Sequence, residues 1–184
     1  LDLLYPLSDF YADLQLPLPS VRKVDTSAMP PPYSKLLVHD RDMTPTLESA
    51  YGGHLHLRVL QFSVHDDVVK RLVALELDDE TPVEMGAIKI YLSRLPGEAR
   101  ELVLERREPF GGILGRLGVA HHSRPVAFFQ VAADTLMKDA LHAEPGQWLY
   151  GRRNTLWRAE GEPLAQVVEI LPLVRPPLAE NTGS

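Results

Sequence analysis

The sequence predicts an α+β domain, a single antiparallel sheet of about six strands with helices packed on one side or over one end. Three observations carry this. Long central and C-terminal stretches alternate apolar and polar residues with a period of two. Helix-period segments come in runs rather than in strict alternation with the strands. The strand-like stretches are joined by polar connections of hairpin length.

Taken in order, Leu7 to Leu14 and Tyr33 to His39 have helical spacing, and Pro30-Pro31-Pro32 punctuates the chain between them. A turn and helix follow from Asp42 through Tyr51, stopping at Gly52-Gly53. The period then changes. From His54 to Val64, Leu55, Leu57 and Val59 fall on one face while His54, His56 and Arg58 fall on the other, which is a strand signature. Asp66-Asp67 supplies a turn into Val68 to Leu77, and Asp78-Asp79-Glu80-Thr81-Pro82 connects this to a third strand, Val83 to Leu92. Leu95, Ala99, Leu102 and Val103 restore helical spacing. Pro109-Phe110-Gly111-Gly112 separates that helix from a short apolar piece, Ile113 to Val119. Val126 to Val131 returns to strand, Asp134 is placed to cap a helix to His142, and Trp148 to Arg158 with Leu164 to Val174 form a final hairpin. No internal repeat is present. The ordered domain is expected over residues 1–178, with a polar tail at 179–184.

Composition narrows the function. The 184 residues are 45% hydrophobic and 24% charged, as in an ordinary globular domain. There are no cysteines, which excludes a thiolate metal site, a disulfide framework and a catalytic thiol. With 19 Lys and Arg against 25 Asp and Glu, the net charge of −6 and the lack of a basic stripe argue against nucleic acid as a partner. No apolar stretch approaches the roughly 20 residues that span a bilayer, and no secretory signal pattern opens the chain. A cytoplasmic location is expected.

Several residues could carry chemistry. Along Ala165, Val167, Glu169 and Leu171, a carboxylate shares a strand face with apolar side chains. If that face is covered, Glu169 has a raised pKa unless a cation faces it, as suits a general acid or base. If Gln166 and Val168 mark the covered face instead, Glu169 is solvated. Arg152 and Arg153 are adjacent on a strand and point to opposite faces, so at most one reaches a given cavity. An arginine fork suits a carboxylate ligand, and equally a surface ion pair. His54-x-His56, His121-His122 and His39-Asp40 offer imidazoles, but no carboxylate between Arg58 and Phe62 completes a metal motif, and no metal is expected. Gly111-Gly112 and Gly115 lack the context of a phosphate loop, and there is no nucleophile motif.

The run Leu36-Leu37-Val38-His39-Asp40-Arg41-Asp42-Met43-Thr44-Pro45-Thr46-Leu47-Glu48 resembles a stretch of the chorismate lyase (chorismate–pyruvate lyase) family. Further segments follow in matching order: Pro82-Val83-Glu84-Met85-Gly86, Pro109-Phe110-Gly111, Tyr150-Gly151-Arg152-Arg153-Asn154, Gly161-Glu162-Pro163-Leu164 and Val168-Glu169-Ile170-Leu171-Pro172. The resemblance covers roughly residues 33 to 172. It implies helices covering an internal, solvent-shielded pocket, and a cofactor-free elimination that converts chorismate to pyruvate and a hydroxybenzoate, most simply 4-hydroxybenzoate, in aromatic biosynthesis.

By position, Glu169 matches the family's active-site glutamate, Met43 its pocket methionine, Gly86 the glycine that ligand approaches, and Phe110 a leucine against the ring. The arginine gripping the ring carboxylate falls on Leu72 by ungapped counting. It falls on Arg71 if the Asp78 to Thr81 turn carries one extra residue, and the hairpin loop absorbs that insertion more readily than the site loses its cation. Arg153 and Lys89 are further candidates for holding carboxylates. With few partners around a covered Glu169, Glu169→Gln is expected to leave stability unchanged or higher.

The chain departs from the family over His121 to Gln147, which is longer and carries Phe128-Phe129 and the extra Asp134 to His142 helix, and at Phe110. The same architecture serves ligand-sensing domains of transcriptional regulators. No helix-turn-helix precedes this stretch, which favours the enzyme. The alternative expectation is a binding module for an aromatic or sugar acid.

Overall fold

The computed structural model describes residues 1–173. Val174, the expected end of the last strand, and the expected polar tail at 179–184 lie outside the described residues. Six helices and seven strands follow in the order α1 (Leu7–Asp13), β1 (Val21–Val24), α2 (Tyr33–Leu37), α3 (Met43–Tyr51), β2 (His56–His65), β3 (Val68–Glu76), β4 (Pro82–Tyr91), α4 (Gly97–Glu105), α5 (Phe110–Arg116), β5 (His121–Ala132), α6 (Thr135–Leu141), β6 (Trp148–Arg158) and β7 (Pro163–Ile170).

The strands form one sheet in the order β1-β5-β6-β7-β4-β3-β2, with every neighbouring pair antiparallel. The α+β class and the single antiparallel sheet stand as the sequence predicts. The additional strand is β1, whose Val-Arg-Lys-Val is too short and too charged to announce itself. It forms because Val21 to Val24 pairs with Val131 to Phe128 at the edge of β5. β5 also begins at His121 rather than Val126, and a bulge between Pro125 and Ala127 accommodates a residue that lacks a backbone N–H.

Local chemistry sets the helix ends. Gly52 adopts φ +69°, and its N–H closes α3 on the Glu48 carbonyl at 2.9 Å. Asp134 accepts a hydrogen bond from the Met137 N–H at 3.2 Å, so it caps α6 as its position suggests. Phe110 to Gly112, expected as a break before the apolar piece, instead makes the first turn of α5.

Both faces of the sheet are covered. Alternate residues of β4 and β7 such as Met85, Ala87, Val168 and Ile170 pack with Leu7, Phe10 and Tyr11 of α1 and Met137, Ala140 and Leu141 of α6. The other parity faces two clusters: Ile88, Ile90, Ala165 and Val167 meet α4 and α5, while Leu75 meets α2 and α3 together with Val83, which the register shift at that end of the β3–β4 pair turns to this side. Helices therefore lie on two sides of the sheet rather than one. β7, the central strand, is buried on both sides. A narrow cavity remains where the α2/α3 and α4/α5 clusters meet above β4 and β7.

Candidate functional site

The cavity has room of about 60 Å³ for the centres of water-sized molecules, several times what one water needs. Its floor comes from one parity of the sheet: Arg71 and Val73 on β3, Glu84, Gly86 and Ile88 on β4, and Val167 and Glu169 on β7. Its roof is Met43 and Thr44 at the start of α3 and Phe110 and Gly111 at the start of α5. Gly111 lets the two helices meet, since a Cβ there would stand 3.1 Å from Thr44 Oγ1.

Register places the charged groups. Glu169 lies between Gly86 on β4 and Arg152 on β6. The Arg152 guanidinium, completely buried, donates from Nε to Glu169 Oε2, from Nη1 to the carbonyls of Leu37 (3.2 Å) and His39 (2.9 Å), and from Nη2 to the carbonyl of Arg41 (3.0 Å). Its donors thus fasten the segment between α2 and α3 to the sheet. Burial and the Arg152 charge hold the His39 pKa below the ordinary histidine value. In the neutral ring, Nε2–H donates to the Leu36 carbonyl (2.8 Å), leaving Nδ1 to accept from the Arg41 N–H (3.2 Å).

Arg71 is different. Only 1% exposed, it donates from Nη2 to the Glu108 carbonyl at 3.2 Å, while Nε and Nη1 have no hydrogen-bond partner among the described residues. Burial pulls its pKa down to about 10, which leaves it charged at neutral pH. Leu72, the ungapped alternative, packs in the core of the other face.

The structure brings Arg71, Met43, Gly86, Phe110 and Glu169 together at this cavity. Lys89 and Arg153, expected as further carboxylate clamps, are not with them. Both have the wrong parity and lie on the α1 face. Lys89 donates to the Tyr5 hydroxyl (2.9 Å), and Arg153 Nη1 donates to the Asp2 carbonyl (2.7 Å). Of the arginine pair, Arg152 is therefore the one on the cavity side, and it is taken up by Glu169 and the backbone. Glu169 is covered but not short of partners, which removes the basis for expecting Glu169→Gln to be harmless.

Two features escaped the sequence reading. Glu84, 4% exposed, lines the cavity with Oε2 unpartnered among the described residues. Its pKa is held well above the ordinary carboxylate range by burial and then by the Glu169 charge, against a smaller opposing pull from Arg152. A lone carboxylate within Val83-Glu84-Met85-Gly86-Ala87-Ile88 was the available signal. The second is the pair of His121 Nε2 and Asp42 Oδ2, 2.6 Å apart at the cavity's edge. Asp42 directs its side chain there rather than capping α3. The remaining histidine motif lies elsewhere: His54 pairs with Glu48 (2.9 Å) and the exposed His56 with Asp78 (2.6 Å). Among the described residues, no three His, Asp or Glu side chains are grouped as metal ligands.

No protein-family model matches the chain, and no curated protein matches it in sequence. Solved structures share its fold. The effector domain of PhnF from Mycobacterium smegmatis superimposes with a TM-score of 0.54 at 13% identity, over 72% of this chain and 88% of that one. A second PhnF structure gives 0.55 at 13% identity, over 71% of this chain and 63% of that one. YydK from Bacillus subtilis gives 0.50 at 11% identity, over 66% of this chain and 63% of that one. At these identities the likeness is one of fold. No helix among the described residues is long and apolar enough to cross a membrane.

Proposed function

We propose that this protein binds a small carboxylic acid in the cavity, with Arg71 as the partner of the carboxylate. The observation that carries this is the buried Arg71 guanidinium, whose Nε and Nη1 donors have no partner among the described residues. A desolvated cation with idle donors is costly, and a bound carboxylate would supply both the opposite charge and the acceptors. The fold shared with a domain named as an effector domain is in keeping with this reading. The test is calorimetric titration with an aromatic acid, benzoate, and a sugar acid, gluconate. Saturable binding of either that weakens at least tenfold in Arg71→Met supports the proposal. Binding of neither, or binding that Arg71→Met leaves intact, overturns it.

A second reading is a cofactor-free chorismate–pyruvate lyase, and one observation favours it: two carboxyl groups, Glu169 and Glu84, line the same cavity as Arg71. In that reaction the ring loses the proton on the hydroxyl-bearing carbon next to the ether, the bond from the ring to the ether oxygen breaks as the new ring double bond forms, and the departing enolpyruvate takes up a proton to become pyruvate. Glu169 would be the group that moves the proton, with Arg71 on the ring carboxylate. Incubation with chorismate should then yield pyruvate and a hydroxybenzoate in equal amounts, undiminished by exhaustive chelation and lowered on the order of a hundredfold in Glu169→Gln. No pyruvate above the uncatalysed rate rules the lyase out and leaves the binding role untouched.

A further inference from the structure

Glu84 and Arg71 stand at opposite ends of the cavity floor. Arg71 on β3 is opposite Ile88 on β4, and Glu84 lies four residues from Ile88 on the same face. That separation is about 14 Å along the strand at roughly 3.4 Å per residue. Between them is Gly86, where a Cβ would come within 3.3 Å of Glu84 Oε1, so the glycine gives the carboxyl its space. Arg152, the cation nearest in effect, is committed to Glu169 and three backbone carbonyls. Burial and the neighbouring Glu169 carboxylate favour the neutral form of Glu84, and a neutral carboxylic acid has an O–H to donate. Left unused, that buried polar group is a cost to the fold.

We infer that Glu84 donates a hydrogen bond to the ligand, and that the site takes a monocarboxylate bearing a neutral acceptor oxygen, a ketone, ether or hydroxyl, at the end away from Arg71. This rests on the carboxylate reading above. The charges fit it: Arg152 and Glu169 cancel, and with Glu84 protonated, Arg71 is matched by one anionic group. A second carboxylate at the Glu84 end would meet Glu169 instead.

Calorimetry on the full chain tests this with two acids of nearly equal shape, 4-acetylbenzoate, which carries an acceptor, and 4-isopropylbenzoate, which does not. The acetyl acid should bind about tenfold tighter, as one well-made hydrogen bond allows. Glu84→Gln, which still offers an N–H, should keep the preference. In Glu84→Leu the two affinities should converge to within about twofold. Terephthalate, with a second carboxylate, should bind more weakly than the acetyl acid. Equal affinities in the unaltered protein, or a preference that survives Glu84→Leu, overturn the inference while leaving the carboxylate reading in place. Failure of both acids to bind overturns the inference, and the carboxylate reading falls with it when benzoate and gluconate also fail to bind. Infrared spectra of the unliganded protein give a separate check: the carbonyl band of a protonated carboxylic acid should be present and should vanish in Glu84→Gln, and its absence from the unaltered protein excludes Glu84 as donor.

Discussion

Arg71, which lines the cavity, and Arg152, which lies behind Glu169, are both buried, yet the loss of Arg71 and the loss of Arg152's partner should have opposite consequences. Arg71→Met removes a cation that has no carboxylate partner among the described residues, so the thermal midpoint should hold or rise even as carboxylate binding is lost. A fall of several degrees would mean that Arg71 supports the fold. Glu169→Gln strands the Arg152 charge at the centre of the sheet, and urea denaturation should show a loss of about 3 kcal/mol. Little or no loss would return Glu169 to the unpartnered state that the sequence suggested. What separates the two arginines from Arg153 was only partly legible. Period two showed that at most one of Arg152 and Arg153 reaches a given cavity. Which one it is depends on how β6 registers with β7, and that register shifts at a bulge between Leu156 and Trp157. Glu84 was hidden for a related reason. A single acid in a buried strand has no periodic signature, and its meaning comes from Glu169 on the neighbouring strand.

Elements hold the cavity through close approaches. β6 runs between β5 and β7, and at Gly151 a Cβ would lie 2.7 Å from the Glu169 carbonyl oxygen and 2.7 Å from Phe129 Cζ. The backbone oxygen cannot yield, so Gly151→Ala should cost about 2 kcal/mol in a denaturant titration, and a neutral result would show that β6 can shift. The start of α3 is tied to the start of β5 by Asp42 and His121. The hydrogen bond that His121 donates to Asp42 is the main cause that raises the His121 pKa above the ordinary histidine value of 6.5. A histidine raised on folding adds stability that is full below its unfolded pKa and disappears as pH rises through its folded one. Relative to His121→Gln, the unaltered protein should be more stable by about 1–2 kcal/mol at mildly acidic pH, with the gap closing as the solution becomes alkaline. A constant gap would show that His121 acts without its charge. Hairpins β2–β3, β3–β4 and β6–β7 were legible because alternation and turn residues are local. β1 was not, because four residues with two charges become a strand only against β5.

At the level of the whole molecule, one sheet serves two cores. Leu7 belongs to the cluster on the α1/α6 side and Ile113 to the α4/α5 cluster, and both are fully buried. Because β4 and β7 contribute alternate residues to each side, Leu7→Ala and Ile113→Ala should each cost about 2–4 kcal/mol within a single cooperative transition. Tryptophan fluorescence and far-ultraviolet circular dichroism should report the same midpoint, and separate midpoints would mean that one layer melts alone. The second covered face was foreshadowed by the nearly continuous apolar run of β4, since a strand wet on one side alternates. The placement of α1 and α6 over it needed the long-range packing that a local reading does not contain. One consequence of Arg152 reaches further. The arginine that secures the roof of the cavity is distinct from Arg71 and Glu84, which face its interior, so anchoring and ligand choice fall to separate side chains, with Glu169 the one group that belongs to both. Under the proposed binding role, changes at Arg71 and Glu84 alone would alter which acid the pocket takes while its architecture persists.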